Sequence, residues 1–219
     1  MENMYYPFIN EPLPYGYSDL EPWIDAKTME LHHDRHLQAY IDQLNQILEE
    51  NPQLQKLSLR QLVMQAGKLP QWLQRPVRNQ AGGVYNHRFF FEGMRPAKPD
   101  MQSLVPGQPV CSEMPSDQLM THFVRDFGSF EMFQKKWKAA ALSVFGSGYA
   151  WLLRIRGRMR IVTTANQNTP LALGVQPLLC LDVWEHAYYL KHYNERAAYV
   201  DDWIHVVNWE KVEKRFLVG

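Results

Sequence analysis

Residues 26–49 form a long periodic segment that constrains the fold more than any other part of the chain. Side chains that recur in it every four residues fall on one stripe of a helix, namely His32, His36, Tyr40, Leu44 and Leu48. Asp25 is a suitable N-cap for this helix, and Asn51-Pro52 ends it. Burying imidazoles on such a stripe is costly unless they have polar partners. The chain must therefore fold so that other polar groups reach His32 and His36.

The rest of the first half is also patterned as helices. Ser58 can cap a second helix that runs through Ala66. We expect a third helix at 77–93, in which the Gly82-Gly83 pair weakens the helical propensity. Residues 94–115 are rich in proline and polar side chains, which is typical of a linker.

The second half changes from helices to strands and back again. Ser116 and Ser129 are suitable N-caps for two helices that end near Val144. Strand-like patterns follow at 149–155 and 159–164, joined as a hairpin through Gly157, and a third short apolar run lies at 178–181. Further helical segments are expected around 187–193, 197–207 and 209–216.

These elements predict an α+β fold. An N-terminal helical hairpin domain would occupy residues 1–95, followed by a proline-rich linker at 96–115. An α/β domain with a small three-stranded antiparallel sheet would occupy 116–219.

Composition excludes several classes of protein. The 23 basic and 23 acidic residues cancel, which leaves no net field for nucleic acid or an acidic membrane surface. Two cysteines, Cys111 and Cys180, make neither a disulfide framework nor the paired spacing of a zinc site. No signal peptide pattern or membrane-spanning apolar run is present. We therefore expect a reduced cytoplasmic protein.

The most informative motif lies at 181–189, where Asp182 and His186 stand four residues apart among aromatic side chains. Such a pair suits a metal in dry, rigid surroundings, and the histidines at 32–36 and His87 could complete its coordination. Taken singly, each of the eight histidines is more often a core or surface residue than a ligand. Imidazoles with an added carboxylate suit iron or manganese better than a closed zinc site. A zincin helix is disfavoured, because His32 and His36 lack the intervening glutamate.

Together, the stretches 31–36, 81–87 and 181–189 resemble the signatures of the iron/manganese superoxide dismutases, and the resemblance runs almost end to end. It implies four metal ligands, which are His32, His87, Asp182 and His186. It also implies that His36 and Tyr40 line the substrate entrance, a distinction that spacing alone does not make. The glycines before His87 let other groups approach the helix closely.

The resemblance extends to residues around the metal. The segment 163–170 is similar to one that supplies an active-site glutamine in manganese-type members, which would place the Gln167 amide against Tyr40 and the solvent ligand. Many iron-type members carry the glutamine at the position of Gly83 instead. We therefore expect one manganese ion per subunit, with iron as the alternative. Trp151 and Trp184 are retained aromatic residues of the site, whereas Val84, Phe91 and Tyr149 depart from the usual pattern.

Two further residues concern assembly. The resemblance implies that Glu185 hydrogen-bonds the ligand histidine of a partner chain and that Tyr189 reaches the partner's His36, so a homodimer is expected. A solvated acid–imidazole pair is the simpler alternative for Glu185. Cys180, two residues before Asp182, is expected to be a buried structural cysteine.

The implied activity is that of an oxidoreductase, a superoxide dismutase. Superoxide would reduce the trivalent metal and leave as dioxygen, and a second superoxide would oxidise the divalent metal and leave as hydrogen peroxide. Protons would pass through Gln167, Tyr40 and His36. One alternative is a degenerate relative that binds metal as a structural or storage protein. A two-histidine, one-carboxylate oxygenase is disfavoured, because a fourth protein ligand closes positions it needs.

Overall fold

The fold is taken from a computed structural model that describes residues 3–97, 114–173 and 175–218. Its first half is helical, as predicted. Asp25 caps the first helix by accepting a hydrogen bond from the Thr28 backbone N–H at 2.8 Å. The helices of this half are α1 (Ala26–Leu31), α2 (Gln38–Glu49), α3 (Leu59–Gln65) and α4 (Gln71–Glu92).

A π-helical segment, His32–Leu37, joins α1 to α2. The expected continuous helix is therefore present, but its winding is wider at the histidines. A π turn contains more residues than an α turn, so the four-residue stripe is rotated there. As a result His32 is buried, whereas His36 is only partly buried at the protein surface.

Helix α4 differs from the prediction at its start. It begins at Gln71 rather than near residue 77, and it continues through Pro76. A proline inside a helix removes one backbone hydrogen bond. Burial of Leu73 and Val77 on either side of Pro76 opposes this loss. The Gly82-Gly83 pair does not interrupt the helix.

The second half contains the sheet. Ser116 and Ser129 cap α5 and α6 as expected, by accepting hydrogen bonds from the backbone N–H groups of Leu119 and Met132. The antiparallel strands lie in the order β2-β1-β3. The elements of this half are α5 (Asp117–Phe127), α6 (Phe130–Ser143), β1 (Gly148–Ile155), β2 (Arg158–Ala165), β3 (Gln176–Asp182), α7 (Tyr189–His192), α8 (Arg196–Trp203) and α9 (Trp209–Leu217).

The predicted α+β class and three-stranded sheet are confirmed. The division at residues 95 and 115 stays a prediction, because most of the linker and Cys111 lie outside the described residues. The two halves are in contact through the backbone, since the Asn208 N–H donates to the Gly93 carbonyl at 2.8 Å. Within the described ranges, no helix combines the length and the apolar character needed to span a membrane.

Two glycines of α4 allow a close contact between the halves. A Cβ atom on Gly82 would lie 2.2 Å from the backbone oxygen of Gln167, in the loop after β2. A Cβ on Gly83 would lie 2.3 Å from Cδ1 of Tyr40, on α2. Both distances are far below van der Waals contact, so only glycine fits at these positions. The predicted close approach to this glycine pair is therefore present.

Replacing Gly82 with Ala would force the backbone at Gln167 away from α4. We expect the free energy of unfolding to fall by about 1–3 kcal/mol, the usual cost of overpacking a core. Gly67→Ala is the matched control, because a Cβ there meets nothing within 4 Å. Urea unfolding of both variants tests this, and wild-type stability in Gly82→Ala would contradict it.

Candidate metal centre

Four side chains from four elements converge at one point between the halves. His32 comes from the π-helical segment, His87 from α4, Asp182 from the end of β3, and His186 from the 3₁₀ turn Glu185–Ala187. One nitrogen or oxygen atom of each lies within 4.8 Å of the others. The four residues predicted as ligands are thus brought together by the fold.

The atoms that face each other have no hydrogen-bond partner. This holds for Nε2 of His32, His87 and His186 and for Oδ2 of Asp182, although all four atoms are buried. Oδ2 of Asp182 lies 3.3 Å from Nε2 of His32 and 3.7 Å from Nε2 of His186. Buried polar atoms are otherwise nearly always paired. Four such atoms around one point fit a bound cation.

Hydrogen bonds behind these atoms hold two of the four groups in orientation. Nδ1 of His87 donates to the Gly83 carbonyl at 2.7 Å, which leaves the lone pair of the neutral ring on Nε2. Oδ1 of Asp182 accepts from the Trp184 backbone N–H at 2.8 Å, so Oδ2 is the oxygen that faces the histidines. Three imidazoles and one carboxylate are a donor set suited to manganese or iron.

Electrostatics favours the protonation states that a metal needs. Burial lowers the pKa of His32 to about 4 and lowers the pKa of His87 well below its usual value, so both rings are neutral at pH 7. Burial alone would raise the pKa of Asp182, but the imidazoles of His186 and His32 lower it below its usual range. The site therefore combines an ionised carboxylate with neutral imidazoles, which are the protonation states in which these groups bind a metal.

The Gln167 side chain lies beside this centre and is almost fully buried. Its Nε2 donates to the Tyr40 hydroxyl at 3.0 Å, as the sequence analysis predicted. Its Oε1 accepts from the Tyr149 hydroxyl at 2.9 Å and from Asn86 Nδ2 at 3.1 Å. Burial raises the pKa of Tyr40, so its phenol keeps its proton at neutral pH.

A cavity of about 600 Å³ opens beside the centre. His36, Tyr40, Gln167 and Trp184 line it, so the residues predicted for the entrance lie together. The His36 ring stacks on His186 with a centroid separation of 4.1 Å. The cavity therefore adjoins the candidate ligand His186 through the His36 ring.

The remaining predicted residues lie around the centre in different ways. Trp151 is buried and its Nε1 donates to Thr164 Oγ1 at 2.9 Å. Cys180 is buried beside Trp151, and burial raises the pKa of its thiol well above the usual value. Glu185 and Tyr189 are exposed on the surface of the single chain.

Tyr149 and Asn86 have contacts at the centre that the sequence did not predict. Tyr149 was noted only as a departure from the usual pattern, and Asn86 was assigned no contact at the centre. The available signal was that Tyr149 stands two residues before Trp151, so both side chains lie on one face of β1. The pairing of Tyr149 with Asp182 then places that face at the centre.

Comparison with known proteins identifies the family. Residues 7–95 match the alpha-hairpin domain, and residues 115–215 the C-terminal domain, of the iron/manganese superoxide dismutases. The chain belongs to the iron/manganese superoxide dismutase family. This confirms the family inferred from the sequence and, with it, the expectation of an oxidoreductase of this type.

Named relatives are similar over nearly the whole chain. Manganese superoxide dismutase 3 of Leptolyngbya boryana is 41% identical over 206 residues, which is 94% of this chain and 81% of the relative. The manganese superoxide dismutase of Listeria innocua is 40% identical over 93% of this chain and 95% of its own length. A manganese/iron superoxide dismutase of Rickettsia bellii is 40% identical over 95% and 92%, respectively.

Replacing Tyr149 with Phe would leave Asn86 as the remaining side-chain donor to Gln167 Oε1. We expect the free energy of unfolding to fall by about 0.5–1.5 kcal/mol, because one hydrogen bond is lost while Asn86 keeps the buried acceptor paired. We also expect the pKa of Tyr40 to rise further, since the hydrogen bond from Gln167 lowers it and a less constrained amide donates less well. NMR of carbon-labelled tyrosine across a pH titration measures this shift.

Tyr15→Phe is the matched control for this variant. The Tyr15 hydroxyl donates to the Phe91 carbonyl at 2.8 Å, outside the Gln167 network. The control should lose stability to a similar extent and leave the Tyr40 pKa unchanged. An unchanged Tyr40 pKa in Tyr149→Phe as well would show that Tyr149 does not hold the amide.

Proposed function

We propose that this chain is a superoxide dismutase that holds one manganese ion per subunit, with iron as the alternative. The observation that carries the proposal is the set of four buried, unpaired donor atoms, contributed by His32, His87, Asp182 and His186. Membership of the family supports the same activity. Superoxide would be the substrate, and dioxygen and hydrogen peroxide the products.

A bound manganese or iron ion would supply one-electron chemistry, accepting an electron from one superoxide and returning it to another. The side chains around it would manage protons. Peroxide formation consumes protons, and Tyr40 holds one at the cavity wall because burial raises its pKa. Gln167 Nε2 donates to the Tyr40 oxygen, so the Tyr40 proton is left to point away from the amide.

The surroundings of the centre also oppose other reactions. Asp182, His32 and His87 are buried. The side chains that line the cavity beside them would admit small molecules and exclude larger substrates. A fourth protein donor, His186, disfavours an oxygenase that must bind both dioxygen and an organic substrate. A structural or storage role, the alternative from the sequence, leaves the contacts among Gln167, Tyr40 and the cavity without a purpose.

The choice of metal rests on the origin of the active-site amide. A side chain at position 83 would overlap the Tyr40 ring, so α4 cannot supply a glutamine there while Tyr40 keeps its place. The amide comes instead from Gln167, the arrangement that the sequence analysis associated with manganese. Two of the relatives compared above are named as manganese enzymes and one as a manganese/iron enzyme. We therefore propose manganese first and iron second.

The first test is reconstitution of metal-free protein with manganese or iron separately. The manganese form should suppress superoxide-driven reduction of cytochrome c, and the iron form should be less active. Asp182→Asn is the matched control, because it removes the anionic donor while preserving size, and its metal affinity should fall. Absence of activity in both loaded wild-type forms would refute the dismutase function, and equal activity would refute the preference for manganese.

We also propose that the chain forms a homodimer around the surface near His186. Glu185 and Tyr189 are exposed on either side of the buried Tyr188. Arg196 ties Tyr188 to the 144–146 loop through hydrogen bonds to the Tyr188 hydroxyl and two loop carbonyls. Phe145, in that loop, is fully exposed. Exposed aromatic side chains beside a functional centre are typical of an interface. A cytoplasmic location stays a prediction.

Glu185→Ala tests this assembly. The wild type should have twice the 25.8 kDa mass of one chain in sedimentation equilibrium. We expect the variant to dissociate at higher protein concentration than the wild type, because the proposed contact from Glu185 to the partner's His186 is lost. Glu50→Ala, at an exposed glutamate after α2, is the control and should remain dimeric. A monomeric wild type would contradict the proposal.

A further inference from the structure

A second cavity, of about 530 Å³, lies on the side of α4 that faces away from the candidate metal centre. Four side chains of α4 line it and follow one stripe of the helix, namely Tyr85, Arg88, Phe89 and Glu92. The candidate ligand His87 follows Tyr85 by two residues, which is about half a helical turn. The cavity is therefore separate from the centre, and its volume is typical of a small-molecule site.

The wall of this cavity has an excess of positive charge. Arg60 of α3, Arg88 of α4, and Lys211 and Arg215 of α9 all line it. Glu92 is the one acidic side chain among the described residues of the wall. The chain as a whole has as many acidic as basic residues, so this excess is a local feature. A local excess of cations around a concave surface attracts anions.

The single carboxylate does not neutralise the cations around it. Lys211 Nζ lies 3.0 Å and Arg215 Nη2 lies 3.1 Å from the same oxygen, Oε2 of Glu92. Arg60 is exposed, and no hydrogen bond or ion pair of its guanidinium is found within the part of the chain that the structure describes. Lysine and arginine carry three and five N–H donors, respectively, so donors are left over for an anion.

The rest of the wall includes aromatic side chains. The rings of Tyr85 and Phe89 stack with centroids 5.7 Å apart, and the exposed Tyr5 lines the same cavity. The Arg215 guanidinium lies over the Phe89 ring, 3.6 Å from its centroid, which holds that cation in place. The Tyr85 hydroxyl makes no hydrogen bond to any described residue, so it is available to a ligand.

An anion attached to a planar ring fits both parts of this wall. A phosphate monoester carries a charge of about −1.5 to −2 at pH 7, which matches several cations better than the single charge of a carboxylate does. A planar ring packs favourably against aromatic side chains. We propose that this cavity binds a small aromatic phosphate ester, a class that includes the nucleoside monophosphates. The site does not depend on the proposed dismutase function.

Calorimetric titration of the manganese-loaded protein with AMP at low salt is the first test. AMP should bind saturably with one molecule per chain. Adenosine and inorganic phosphate each carry half of the ligand and should bind about tenfold more weakly or worse, because each forgoes either the charge or the ring. The visible absorption of the bound metal should not change on addition of AMP, since the cavity lies on the other face of α4.

Two variants test the residues of the wall. Arg60→Gln removes an exposed cation without a partner, so the fold should be retained, and AMP affinity should fall about three- to tenfold. Tyr85→Phe removes one neutral donor and should weaken AMP binding about two- to tenfold. Arg78→Gln is the matched control, because Arg78 is exposed on α4 but does not line this cavity. Its AMP affinity should equal that of the wild type.

Several outcomes would overturn the proposal. These are no saturable binding by the wild type at AMP concentrations up to about 1 mM, equal losses in Arg60→Gln and Arg78→Gln, or a change in the metal absorption that places AMP at the centre. Inorganic phosphate that binds as tightly as AMP would exclude a role for the aromatic body. A protein that binds AMP as expected but lacks dismutase activity would refute the proposed function and retain this site.

Discussion

The buried carboxylate of Asp182 is the constraint on which the rest of the structure depends. An ionised group without solvent is costly, and its Oδ2 has no hydrogen bond to offset that cost. The neighbouring imidazoles of His186 and His32 keep it ionised, and a cation among them would complete the compensation. The Trp184 backbone N–H and the Tyr199 hydroxyl hold the Asp182 side chain and backbone in place. The end of β3 is thus built around one anion.

The centre also depends on helix α4, because residues 82–87 of this helix contact both the loop that carries Gln167 and the Tyr40 ring. Gly82 admits the loop that carries Gln167, and Gly83 admits the Tyr40 ring. Asn86, one turn later, donates to that same loop, and His87 faces the centre. A larger residue at either glycine would separate the amide or the phenol from the candidate ligands. The four-residue spacing of the helix therefore couples the packing of the two halves to the geometry of the centre.

Much of this arrangement could be predicted from sequence, since it depends on local chemistry. Serine caps, strand alternation and the four candidate ligands each have a recognisable pattern, although the ligand set also required the family resemblance. The π turn at His32 and the start of α4 before Pro76 could not be predicted, because tertiary packing overrides local propensity there. The role of Tyr149 depends on the β1–β3 register, which a single strand does not reveal.

The donors and acceptors of the hydrogen bonds among Asn86, Gln167 and Tyr40 are fixed relative to one another. The backbone carbonyl of Gln167 can only accept, so the Asn86 group that reaches it at 3.3 Å must be the amino group. That amino group also meets the Gln167 side chain, which must therefore present its oxygen to Asn86 and Tyr149. Nε2 of Gln167 is then left for the oxygen of Tyr40. A backbone carbonyl in the loop after β2 thus determines, through two amides, that the Tyr40 proton is available to the cavity.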